Sequence, residues 1–458
     1  MNASATGSSS SDATAVLRHW VYGLIIVTVV MVQLVRIASV TALYSPKAWP
    51  RRQPALSPML SANDRSRWCT VWSLAERGTF QIDEIIRYPG WSTIDMVQQN
   101  GHFYSSKPPV LPVCVAGLYW VIKQIFRVDL LRNTHAVVQS ILILVNLIPF
   151  AISLILLSRL VDRYAKQDLT RVFILAAAAS ATFLSTFLNT FNNHTVAANC
   201  ILWSLCALLR VTAEGEKRWF WYSLAGFFGA MAVVNELPSA VFLALIGLIL
   251  LRTDWKLTLL AFLPAALLPL VAHLVLTVIQ TGGLKPFYAS FGTELYNFRN
   301  SYWVNPQGVD KSLDTPWIYF FHCTVGHHGI LSLSPILLVT LWSWIRGPGG
   351  GGSSERRTIY WLSLICTVVV LSFYMTRTAQ YNYGGRTSGL RWMFWLTPLW
   401  LAAMIPVLDD FLSRLWFRRV CLVLLAVSVF SASFPWNNPW THPWLFQVLE
   451  QSGWINYG

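Results

Sequence analysis

Charge is what this sequence has least of. Asp, Glu, Lys and Arg make up only 12% of its 458 residues, against a hydrophobic share of 55% and a mean hydropathy of +0.48. A soluble domain carries about 25% charged residues, so a water-facing globule is excluded. Acid is the scarcer sign, with 20 Asp and Glu against 34 Lys and Arg. The resulting net charge of +14 invites a nucleic-acid reading. The basic residues, however, fall in short loops between apolar runs, the distribution that sets membrane topology, and no nucleic-acid partner is expected. Cysteine is also sparse: seven residues, an odd number, with no C-x-x-C spacing. Most lie in apolar runs as small fillers. Cys69, Cys114 and Cys323 fall outside those runs, and their spacing defines no pairing. There is no internal repeat of the kind that marks many secondary transporters, and no appended soluble domain.

What is abundant is apolar sequence in runs of roughly 17–25 residues, each long enough to cross a hydrocarbon core. The 23 Trp, 16 Tyr and 25 Phe suit the two interfaces, where an amphipathic ring keeps one wet end. The reading is an all-α polytopic membrane protein. Residues 1–18, rich in Ser and Ala, are expected to be a disordered cytoplasmic N-terminus. The run from Trp20 to Tyr44 is too long for a signal-peptide core and reads as an anchor. Further spans are expected near 138–158, 172–189, 195–211, 219–234, 238–252, 257–279, 329–346, 358–375, 391–407 and 418–434.

The stretch 110–126 is ambiguous, and charge decides it. If it lies along the interface, the basic loops at Arg159/Arg163/Lys166/Arg171, Lys217/Arg218, Arg252/Lys256, Arg346/Arg356/Arg357 and Arg414/Arg418/Arg419 share one side. If it spans, they all become external, against the positive-inside rule. The reading is therefore about eleven transmembrane helices, N-terminus cytoplasmic and C-terminus outside, in the bacterial inner (plasma) membrane. Residues 19–434 form one transmembrane domain, 45–137 its first outer loop with juxtamembrane helices, and 435–458 a short outer tail. Gly347–Ser354 is a flexible linker. Three polar segments, about 45–137, 280–328 and 376–390, share the outer face.

Candidate chemistry lies on that face. Asp64, in Asn63-Asp64-Arg65-Ser66-Arg67, is an outer carboxylate able to act as general base; the bland alternative is a helix cap at Asn63 or Asp64. Glu236, before Pro238, is a second outer acid, functional by position or else a cap. In Tyr381-Asn382-Tyr383-Gly384-Gly385-Arg386-Thr387-Ser388-Gly389-Leu390-Arg391, glycines allow close approach of an anion. Guanidinium groups grip phosphate at two points, and Arg391 opens a helix. The alternative is a turn with snorkelling arginines. His194 serves the site or the interface. His322, His327 and His328 have no established metal spacing, read as interfacial, and leave a divalent metal as the lesser alternative to no cofactor.

The run Asn63-Asp64-Arg65-Ser66-Arg67, then Glu76-Arg77-Gly78-Thr79-Phe80-Gln81-Ile82-Asp83, Thr93-Ile94-Asp95 and Gly101-His102-Phe103-Tyr104-Ser105-Ser106-Lys107-Pro108-Pro109 resembles the first outer loop of the C-type membrane glycosyltransferases. These include protein O-mannosyltransferases and aminoarabinose–lipid A transferases. The resemblance implies Asp64 as catalytic base, Lys107 as a phosphate contact and Arg67 in support; Asp95, Tyr104, His194, Glu236, Arg386 and Arg391 are further candidate substrate or phosphate contacts. At Asn189-Thr190-Phe191-Asn192-Asn193-His194 this chain has amides and a histidine where relatives often place a second acid, a departure from a metal-dependent variant. The implied activity is an inverting hexosyl- or pentosyltransferase. Its donor would be a polyprenyl-phosphate-sugar, its acceptor a lipid, glycan or protein, and its medium the lipid bilayer. The rival class is a transporter or flippase of lipid-linked sugars, which needs the basic outer patch but no base.

Overall fold

The computed structural model describes residues 6–42, 56–311, 313–348, 353–378 and 382–458. Helices carry nearly all of it. Among the described residues eight are long and apolar enough to cross a bilayer: α1 (Thr6–Ser39, apolar over Thr14–Ser39), α4 (Thr134–Tyr164), α5 (Asp168–Asn189), α6 (Asn193–Thr212), α9 (Trp255–Thr281), α12 (Ser354–Met375), α13 (Arg391–Phe411) and α14 (Leu415–Ser433). The expected spans at 219–234, 238–252 and 329–346 fall on three shorter helices: α7 (Trp219–Asn235), α8 (Leu237–Thr253) and α11 (Pro335–Arg346).

Residues 6–18 depart from expectation. They wind as the first turns of α1 instead of forming a disordered tail. A helix nucleated by the long apolar run propagates through a proline-free segment at little cost.

Burial sorts the helices. The apolar windows of α13, α5 and α6 are 94%, 83% and 72% buried, so these three are central; α1 and α9, at 22%, are peripheral. Their outward Leu24, Val27, Leu260 and Leu268 are exposed, a face that suits hydrocarbon rather than water.

Between α1 and α4 the chain forms α2 (Ala62–Arg77), a hairpin of β1 (Met96–Gln99) and β2 (His102–Ser105) pairing Met96 with Ser105, and α3 (Val110–Phe126). The Gln139 side chain near the start of α4 donates to Ala38 O at the end of α1 (2.9 Å), while Arg18 near the other end of α1 meets Asp162 near the end of α4 (3.0 Å). The chain thus leaves α1 and enters α4 at one level, and α3 does not carry it across. Instead α3 lies against α2, with Lys123 on Glu76 (2.5 Å) and Tyr119 on the same carboxylate (2.7 Å). Its Trp120, Ile125 and Phe126 point outward, as in an interfacial helix.

The three long polar segments converge at this end. The side chain of Gln99 donates to Thr281 O at the end of α9 (2.9 Å), and Trp303 Nε1 donates to Ile94 O (2.8 Å). Asn382, from the late loop, contacts Asp310. Packing of Val97, Phe287 and Tyr296 into a small separate core fixes the hairpin on the second segment.

Candidate active site

The first predicted residue, Asp64, owes its position to a local signal. Ser61 is the N-cap of α2 and accepts from Asp64 N (3.1 Å); Asp64, at the third helical position, reaches back to Ser61 N (3.3 Å). This reciprocal capping box moves the N-cap from the expected Asn63 or Asp64 to Ser61: both lie in the first turn of the helix, Asp64 as the box's acidic member. Gly78 ends α2 in the left-handed conformation (φ 66°), its N–H returning to Leu74 O and Ser73 O, which a Cβ would disfavour. The Asp64 carboxylate also accepts from Leu60 N (2.9 Å) and Thr190 Oγ1 (2.8 Å), and the residue is wholly buried. Burial lifts its pKa to about 6, against the pull of the Thr190 hydrogen bond and of Arg65. Thr190 Oγ1 in turn accepts from Trp440 Nε1 (2.9 Å).

One turn on, Arg67 is buried and makes no ion pair among the described residues. Its guanidinium donates to Asn63 O (2.9 Å), to Asn63 Oδ1 (2.5 Å) and to Asn193 Oδ1. Asn193 passes its own N–H bonds to Glu236 Oε1 (2.6 Å) and Asn235 O (2.7 Å). Glu236 also meets His194 Nδ1, and His194 Nε2 faces Arg391 Nη1 at 3.1 Å. A guanidinium can only donate, so Nε2 accepts, and the ring proton sits on Nδ1, aimed at Glu236. The Arg391 guanidinium lies 5.1 Å over the Trp440 ring and donates to Gly384 O (3.2 Å). Burial raises the Glu236 carboxyl to about 8, although Arg391 and Arg67 favour its ionised form.

The rim is wetter. Lys107 pairs with Asp95 at 2.8 Å, the side chains 14% and 16% exposed. Burial lowers the Lys107 ammonium to about 8 against the attraction of Asp95. Burial works against the Asp95 charge too, but Lys107, Arg391 and Arg67 together hold its carboxyl below the usual range. Gly384 and Gly385 sit at φ 88° and 70°. A Cβ there would come 3.0 Å from Arg391 Nε and 3.0 Å from Asp310 Oδ1 respectively, so the loop needs glycine to fold onto both.

The structure therefore gathers Asp64, Arg67, Asp95, Lys107, His194, Glu236 and Arg391 at one end of the bundle. Tyr104 packs instead on Phe287 (5.5 Å between rings), and Arg386, beside the glycine turn, is exposed. Tyr381 lies outside the described residues. Asp310 was missed by sequence reading: its carboxylate takes Tyr302 OH (2.8 Å) and Asn382 at the rim, and only its place in the second outer segment hinted at it. Trp440, in the expected tail, carried no signal.

The histidines require a correction. His327 and His328 are not interfacial but fully buried, His327 stacked on His322, His328 on Tyr383, and both edge-on to Phe446. His102 is distant, on Asp83 (3.3 Å). Among the described residues no three His, Cys, Asp or Glu side chains form a metal-binding group.

Neither a protein-family model nor a curated protein matches the chain. Solved structures do. ArnT from Cupriavidus metallidurans, bound to undecaprenyl phosphate, superposes over 91% of this chain with a TM-score of 0.53 at 12% identity. The chain shares the fold of that ArnT. It spans 65% of the length of that ArnT. The oligosaccharyltransferase AglB from Archaeoglobus fulgidus, in complex with an inhibitory peptide and a dolichol-phosphate, aligns with 92% of this chain and 56% of its own, at 12% identity and a TM-score of 0.48.

Proposed function

We propose that this chain transfers a sugar from a polyprenyl-phosphate-linked donor to an acceptor on the side of the membrane where the buried cluster lies. The observation that carries the reading is a set of three cations, Arg67, Arg391 and Lys107, of which the two guanidiniums lack a carboxylate partner among the described residues. Buried charge left unpaired is costly, and a phosphate dianion is the natural counterpart. The ArnT structure, itself bound to undecaprenyl phosphate, gives the fold a precedent for such a ligand.

In this reading an acceptor hydroxyl attacks the anomeric carbon and the bond from that carbon to the phosphate oxygen breaks. The phosphate leaves with the electron pair, and inversion follows from the single displacement. Arg391 and Lys107 neutralise the leaving phosphate, the main electrostatic contribution to such a step. Asp64 accepts the acceptor's proton after its Thr190 hydrogen bond opens; a carboxyl titrating near 6 is matched to that task at neutral pH. Asp95, wetter and at the rim, is the alternative base. The reading uses no metal ion.

The test is direct. Purified protein is given a polyprenyl-phosphate sugar and an extract of candidate acceptors, and release of polyprenyl phosphate is followed. If no donor is consumed and vesicles bearing the protein instead move the lipid-linked sugar between leaflets, the transporter reading replaces this one.

A further inference from the structure

Asn193 and His194, consecutive residues in the first turn of α6, make the same connection with different chemistry. The Asn193 amide donates to Glu236 Oε1 (2.6 Å), and its oxygen accepts from Arg67 Nη2. The His194 ring meets the same Glu236 oxygen through Nδ1, and its Nε2 accepts from Arg391 Nη1 (3.1 Å). One carboxyl oxygen is therefore linked to both guanidiniums, each time through a single neutral group. The direction of these bonds is fixed at the far ends, because a guanidinium only donates. Asn193 must turn its oxygen, and His194 its bare nitrogen, toward the arginine. That leaves the amide N–H and the Nδ1 proton for Glu236, which has only to accept. Arg67, Asn193, His194 and Glu236 are all buried.

The backbone behind these side chains is pinned. Glu236 closes α7, its N–H on Ala232 O (2.7 Å) and its carbonyl accepting from Ser239 N (2.8 Å). Asn192 caps α6, its side chain accepting from Thr195 N (2.9 Å). A carboxylate placed directly on either guanidinium would fill its fork. Placed one group back, it sets the direction of the fork and leaves N–H groups over: Arg391 Nε is buried with no hydrogen-bond partner among the described residues. We infer that Glu236 is a positioning residue for both arginines, aligning Arg67 through Asn193 and Arg391 through His194 toward one phosphate that it does not itself touch. This rests on the sugar-transfer reading and gives Glu236 a role distinct from base or substrate contact.

The test is equilibrium binding of undecaprenyl phosphate to the full chain in detergent. The thermal midpoint of each variant separates lost alignment from lost fold. Glu236→Leu should weaken binding about 10- to 100-fold, the worth of one hydrogen bond to a charged group. Glu236→Gln offers a carbonyl oxygen in the same place and should recover most of that loss. Residues in one hydrogen-bond network are coupled, so Glu236→Leu combined with Arg391→Lys should cost less than the product of the two single losses. Should Glu236→Leu not fold, His194 carries the same test. His194→Gln, able to accept from Arg391 and donate to Glu236, should bind more tightly than His194→Leu. Multiplicative losses in the double variant, or Gln as damaging as Leu at either position, would overturn the proposal. A parent protein that does not bind undecaprenyl phosphate would overturn the sugar-transfer reading itself, and this one with it.

Discussion

The two ends of the helix bundle treat charge in opposite ways. At the end carrying the basic loops, cations and acids are matched. Arg18 meets Asp162 (3.0 Å) and Asp168 (2.5 Å), Arg346 meets Asp410 (2.9 Å), and Arg356 meets Asp409 (2.9 Å), whose carboxylate also accepts from the backbone of Lys166 (3.0 Å) and Gln167 (3.2 Å). At the other end Arg67 is given amides, Arg391 an imidazole and a ring face, and Asp64 a hydroxyl and two backbone N–H groups. Matched pairs brace the helix ends. Arg67 and Arg391, separated from carboxylates by neutral groups, stand beside the direct Lys107–Asp95 pair (2.8 Å), and perturbed titrations cluster there.

Removing one carboxylate from each end separates the two most strongly. Asp64→Asn keeps the shape and leaves an oxygen to accept from Leu60 N, but removes the proton acceptor. Sugar transfer should fall by about 10²–10⁴-fold, with donor binding and fold retained. Asp409→Asn should do the reverse, costing about 2 kcal/mol of stability through the lost charge-assisted bonds while leaving the rate per folded molecule intact. Transfer at the parent rate by Asp64→Asn would make Asp64 a capping residue alone and move the base to Asp95.

How much of this was legible beforehand follows the same division. Apolar runs announced the helices, and the asymmetry of the basic loops kept α3 from being read as a span; both signals are local and additive along the chain. Asp64, Arg67, Asp95 and Lys107 were visible because they lie within 45 residues of one another in a patterned loop. The partners that give them their environment come from far away in the chain: Thr190 and Asn193 are each 126 residues from what they contact, and Trp440 is 250 from Thr190. No spacing rule reports such meetings. The buried histidines misled for a related reason, because a loop position near the membrane says nothing about the aromatic side chains that the final segment, through Phe446 and Tyr457, folds over them.

Next in size is the phosphate grip. Arg391→Lys keeps a positive charge but loses the planar fork, and with it the bond to His194 or to Gly384 O. A charge-assisted hydrogen bond is worth about 1.5–3 kcal/mol, so donor affinity should weaken by about 10–100-fold, measured by equilibrium binding of a polyprenyl-phosphate sugar. Arg386→Lys, on the exposed side of the turn, should change it little. Equal effects from the two would show that position in the cluster does not matter.

The site's raised and lowered titrations predict a pH profile. Transfer needs Asp64 ionised, so activity should rise as pH increases through about 6, and it needs Lys107 charged, so activity should fall above about 8. Beyond that point each pH unit removes roughly nine-tenths of the remaining ammonium, about a tenfold loss. Lys107→Arg keeps its charge at pH 9 and should lift the alkaline limb. Glu236 titrates in the same range; if the limb persists in Lys107→Arg, the proton lost belongs to Glu236, and the Glu236–His194–Arg391 chain controls the rate.

The smallest expected effect is the control for the whole division. Arg346 and Asp410 form an ion pair with side chains 40% and 50% exposed, and the guanidinium also rests 4.8 Å from the centre of the Phe411 ring. Water screens such a pair, and exposed pairs contribute about 0–1 kcal/mol. Arg346→Ala should therefore shift the thermal midpoint by no more than about 2 °C and leave the transfer rate where it was. A tenfold loss of transfer at unchanged stability would mean that the basic end is mechanically coupled to the site through α13, whose first residue is Arg391 and whose last is Phe411. Bracing and chemistry would then belong to one helix rather than to two separate ends.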